Sequence, residues 1–113
     1  MKKIVTLLVL IFPVVAFAEV GYGTGKITGY LPYSYGQEEM FFIKMENFTG
    51  TPACNVTYRL TMKSSNPRFK ATQAAVLSAF IAGIPVRATG LGTCNNFSNS
   101  EDLKYVCLGD IPC

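Results

Sequence analysis

"SSNPRFKATQAAVLSAFIAGIPVRATG", Ser64 to Gly90, is where the apolar period of this chain changes twice. Asn66 before Pro67 predicts a helix start, a capping side chain followed by proline at the first helical position. Beyond it Phe69, Val76, Leu77, Phe80 and Ile84 recur at helical spacing, with Thr72 and Gln73 on the same side. Gly83 and then Pro85 end the pattern. Residues 85–90, "PVRATG", read as a short strand.

Upstream the period is two. Residues 38–47, "EEMFFIKMEN", set Phe41, Ile43 and Met45 against Phe42, Lys44 and Glu46. Residues 54–63, "CNVTYRLTMK", set Cys54, Val56, Tyr58, Leu60 and Met62 against Asn55, Thr57, Arg59, Thr61 and Lys63. Such alternation predicts half-buried strands. Between them "NFTGTPA" carries Gly50 and Pro52 and predicts a connection. Downstream, "LGTCNNFSNSED" is a polar loop and "LKYVCL", residues 103–108, a final strand. The tyrosine- and glycine-rich "GKITGYLPYSY", residues 25–35, supplies a first strand. In it Ile27, Leu31 and Tyr33 alternate with Lys26, Thr28 and Tyr30, and Gly29 marks a bend. The predicted order is therefore β-β-β-α-β-β, mainly β with one helix. That is the element order of an OB-fold, a five-stranded Greek-key barrel with its helix between strands three and four.

Residues 1–18 read as a cleaved signal peptide. Lys2 and Lys3 precede an apolar run, and Ala16-Phe17-Ala18 puts small residues where a signal peptidase reads them. The run is too short for a membrane anchor and is interrupted by Pro13. Export to the periplasm or beyond follows. Without Lys2 and Lys3 the formal charge falls from +3 to +1. Residues 19–113 then form a single small domain whose core is marginal without further fastening. Cys54, Cys94, Cys107 and Cys113 all lie in it, and an even count in an exported chain predicts two disulfides. Of three connectivities, Cys54–Cys94 with Cys107–Cys113 is preferred, one closing a long loop and the other pinning the C-terminal tail. With no CxxC pair and no histidine, no zinc or other metal site is expected.

The Ser64–Cys94 region is similar to the helix-and-strand region of the B subunits of subtilase-type toxins. The matching features are Pro52-Ala53-Cys54, Phe69 opening the helix, Ala74 to Phe80 within it, and Gly83 leading into Pro85-Val86-Arg87. The resemblance implies an OB-fold subunit, five of which form a ring that binds cell-surface sialylated glycans and carries one enzymatic A subunit. "GTGKIT" also resembles that family's first strand, in which a hydroxyl residue ahead of a glycine contacts the sugar. By that match Thr24 is the glycan-contacting residue.

The residues themselves add candidates. Tyr22, Tyr30, Tyr33 and Tyr35 offer apolar ring faces with polar tips, suited to stacking on sugars. Catalysis finds no support: the usual general base is missing, and no serine sits in a GxSxG setting. Glu38 and Glu39 are adjacent, so on a strand they face opposite ways and cannot flank one glycosidic bond; a solvated turn is expected there. No cofactor is implied. Scattered Lys and Arg make no track for nucleic acid. On the helix, Ala71, Ala74, Ala75, Ser78 and Ala82 lie opposite the predicted core side, where a monomer would expose charge. Small residues there admit a neighbouring backbone, so this face is expected to be an oligomer interface. Two functions follow: a non-enzymatic, glycan-binding B subunit that delivers a toxin A subunit, or a stand-alone periplasmic or secreted OB-fold protein with a structural or protein-binding role.

Overall fold

The computed structural model describes residues 6–8 and 19–113; apart from 6–8, the segment read as a signal peptide lies outside the described residues. Five strands and one helix follow in the expected order: β1 (Tyr22–Tyr35), β2 (Glu38–Thr49), β3 (Leu60–Lys63), α1 (Phe69–Ala82), β4 (Val86–Gly90) and β5 (Glu101–Leu108). The sheet closes on itself as β1-β2-β3-β5-β4. Four of its seams are antiparallel. The fifth, β3 with β5, is parallel and consists of two pairs, Leu60 with Glu101 and Thr61 with Asp102. Among the described residues no helix is long and apolar enough to cross a membrane.

Inside the ring lies an apolar cluster built from every element. Phe41, Ile43 and Met45 come from β2, Leu60 and Met62 from β3, Val86 and Ala88 from β4, and Leu103 from β5. Ile27 of β1 and Phe69, Val76 and Ala79 of α1 complete it. Both predicted disulfides are present, Cys54–Cys94 and Cys107–Cys113.

Several local expectations are corrected. The helix starts at Phe69, after a turn in which the Asn66 side chain accepts from the Arg68 N–H and the Asn66 carbonyl from the Phe69 N–H. Asn66 thus organises the approach rather than capping the helix. At the other end Gly83 takes the left-handed conformation, φ 66°, and its N–H donates to the Ala79 carbonyl, as the glycine signal predicts. The face of α1 is also rotated from expectation. Ala79 is buried, whereas Phe80, Ile84 and especially Ile81, 81% exposed, are not.

The third strand is shorter than its alternation suggests. Residues 53–57 turn, and Tyr58 has φ 55°, so the strand begins only at Leu60. Asn55 explains the turn: its buried side-chain oxygen accepts from the Arg59 N–H and the Thr57 hydroxyl. A local side-chain bond to the backbone competes with a strand for the same groups, and here it wins. Glu38 and Glu39, expected in a turn, open β2 instead, and Glu38 pairs with Lys63 at 3.8 Å.

In β1 the register with β2 shifts between Thr24 and Ile27 and again between Ile27 and Gly29. Gly25, at φ 94°, supplies a backbone conformation that the first irregularity needs. Ile27 points into the core, and three residues later so does Tyr30, an odd step that reverses the faces. Leu31, predicted inward, is therefore exposed, while Tyr30 stacks on Phe41 at 6.0 Å.

Candidate functional site

Before its first irregularity β1 is paired on both edges, with β2 on one side and β4 on the other. Gly21 and Gly23 are buried there, so the alternation turns Tyr22 and Thr24 outward. Across the β1–β4 seam Thr24 stands opposite Arg87, and Tyr22 opposite Thr89. Thr24 and Arg87 line one cleft of about 360 Å³ together with Gly25, Pro85, Val86 and Gly109. The cleft thus gathers a hydroxyl, a guanidinium and apolar walls.

One Arg87 nitrogen, Nη2, donates to the Gly109 carbonyl at 2.8 Å, which steadies the side chain. The ion pair found among the described residues joins Lys63 to Glu38, and Arg87 has no carboxylate partner there. A guanidinium offers five donors in a planar fork, so Arg87 retains capacity for an incoming anion. Chemically, a guanidinium beside a hydroxyl can pair with a carboxylate and hydrogen-bond a neighbouring hydroxyl. Arg87 is not among the candidates read from the sequence. The available signal was a lone cation inside "PVRAT", where Val86 and Ala88 face inward and Arg87 must face out.

The four tyrosine candidates do not act together. Tyr22 shares the outer face of Thr24. Tyr30 is half-buried under the helix, its hydroxyl accepting from the Gln73 side chain at 2.9 Å and its ring packed against Phe41 and Phe80. Tyr33 and Tyr35 sit at the far end of β1 in an aromatic cluster with Phe42 and Phe97. Arg59 covers Phe42 from above, 4.3 Å from the ring centroid.

On α1, Ala71, Ala74, Ser78 and Ala82 are exposed and Ala75 is half-buried. Phe80, Ile81 and Ile84 extend this surface, and Lys70 is the one charged residue in the helix. An outward helix face with so little charge is normally covered.

A scan against protein-family models and searches of curated proteins and of solved structures found no match for this chain.

Proposed function

We propose that this chain is an exported, non-enzymatic glycan-binding subunit with an OB-fold, acting as the B subunit of a subtilase-type toxin and assembling as a homo-oligomeric ring. The observation that carries the glycan reading is the pairing of Thr24 with Arg87 in one cleft. A sialylated glycan presents a carboxylate beside several hydroxyls, the two chemistries this cleft receives. The strand order of the closed sheet and the helix between β3 and β4 support the OB-fold. The two disulfides suit an exported protein.

Glycan-array binding tests the reading directly. The wild type is expected to bind sialylated glycans and not their desialylated forms. Thr24→Ala should weaken binding by roughly 0.5–1.5 kcal/mol per site and Arg87→Gln by roughly 1.5–3, the larger because its partner is charged. A ring would magnify both through avidity. If the wild type ignores sialylated glycans, the cleft is not a glycan site.

The exposed apolar helix supports assembly. Light scattering at micromolar concentration should show an oligomer, with the pentamer of the resembling toxins as the expected form. Ile81→Glu or Ser78→Glu should give a folded monomer, because a buried charge in the interface has no partner. A wild type that is monomeric removes the ring and leaves a stand-alone OB-fold protein.

A further inference from the structure

We propose that the surface around Tyr35 is a second binding site, one for a neutral sugar ring, at the opposite end of β1 from Thr24. Two shallow clefts of about 260 and 270 Å³ flank Tyr35, and both are lined by Asn95 and Asn96. Each is smaller than the pockets that drug-sized ligands fill, which suits a single small ring. Tyr35 is 66% exposed, yet it is not loose. Its ring stands perpendicular to Phe97 at 5.9 Å, and Phe97 is held in turn by Phe42 and Tyr33. An aromatic ring fixed before binding loses little freedom on stacking, and its face matches the C–H side of a pyranose.

The polar half of the site is fixed as well. Cys94 is tied to Cys54, and the Asp102 carboxylate accepts the N–H groups of Asn95 and Asn96 at 3.0 and 2.9 Å. The same carboxylate accepts the Thr93 hydroxyl at 2.6 Å. With their backbones held, Asn95, exposed, and Asn96, half-buried, bring side-chain amides to the lining of both clefts. Each amide offers donors and an acceptor together, the pattern that neighbouring sugar hydroxyls require. The charges nearby cancel: Glu38 and Lys63 line the same cleft and pair with each other. The site therefore favours an uncharged ligand, in contrast to the Arg87 cleft, and the two share no residue.

The test is an NMR titration of isotope-labelled protein with methyl β-galactoside, methyl β-glucoside and methyl α-mannoside. Saturable shifts are expected at the amides of Tyr35, Glu38 and Asn95 to Ser98 with at least one of the three. Tyr35→Ala should weaken that binding by about tenfold, the loss of one stacking contact. Its remaining amide spectrum should be unchanged, since the side chain is mostly in solvent. Thr24→Ala should leave the titration unaltered, so this site and the sialylated-glycan reading fail separately. No saturable shift at these amides with any of the three sugars, or equal affinity in Tyr35→Ala, overturns the proposal.

Discussion

Glu101→Ala is expected to destabilise the protein by roughly 3 kcal/mol. Glu101 is fully buried at the start of β5, and one oxygen, Oε2, accepts the Gly21 N–H at 2.9 Å and the Gly92 N–H at 3.0 Å. It thereby ties the entry to β1 and the loop after β4 onto β5. Two hydrogen bonds to a charged acceptor are worth roughly 1.5–3 kcal/mol each, and their loss leaves two buried N–H groups unpaired. The other oxygen, Oε1, has no partner among the described residues, so relief of its burial offsets part of that loss. Glu101→Gln keeps an acceptor of the same shape and should cost less than alanine. Gly90→Ala should be damaging for the reciprocal reason, since a Cβ there would overlap the Glu101 carboxylate. Urea unfolding midpoints measure all three. A midpoint unchanged in Glu101→Ala would show that the carboxylate holds nothing.

Removal of the Cys54–Cys94 bridge should cost more still. The two cysteines are 40 residues apart, for which loop-closure entropy gives about 4 kcal/mol. Cys107 and Cys113 are 6 apart, for which the same relation gives about 2 kcal/mol. Paired alanine substitutions, each compared with wild type by urea unfolding under oxidising conditions, should preserve this ranking. Equal losses from the two pairs would mean that denatured-state entropy is not what the long bridge acts on.

The order of elements was legible because α1 and β2 each carry a long, regular apolar period. What misled was local chemistry that periodicity does not contain. The alternation from Cys54 to Met62 is as clean as that of β2, yet Asn55 captures the backbone around it and leaves a strand of four residues. In β1 the faces reverse after Ile27, so Leu31 and Tyr30 exchange the roles that simple alternation assigns. Glu101 and Asp102 read as the end of a polar loop, since charged residues are rarely buried. They became interior because backbone N–H groups converge on them, from Gly21 at the entry to β1 and from Gly92, Asn95 and Asn96 in the loop just before β5. Thr24 is a candidate only through likeness to the first strand of one toxin-subunit family, and no spacing in the chain marks it. Its partner Arg87 became visible only when the β1–β4 seam brought the two together.

The two-pair seam between β3 and β5 sets the order of events as the chain emerges. The hairpin of β1 and β2, followed by β3, joins segments close in sequence, and such contacts form early. The ring itself cannot close until Glu101 and Asp102 arrive beside Leu60 and Thr61. Until then β3 presents unpaired amides and an uncovered apolar face, the kind of half-made sheet that aggregates or is engaged by chaperones. β5 is at once the partner of β4, the partner of β3 and the owner of both buried carboxylates. A chain ending before it would therefore lack a fold, not merely a strand, and would be a substrate for proteolysis rather than a shortened version of the protein.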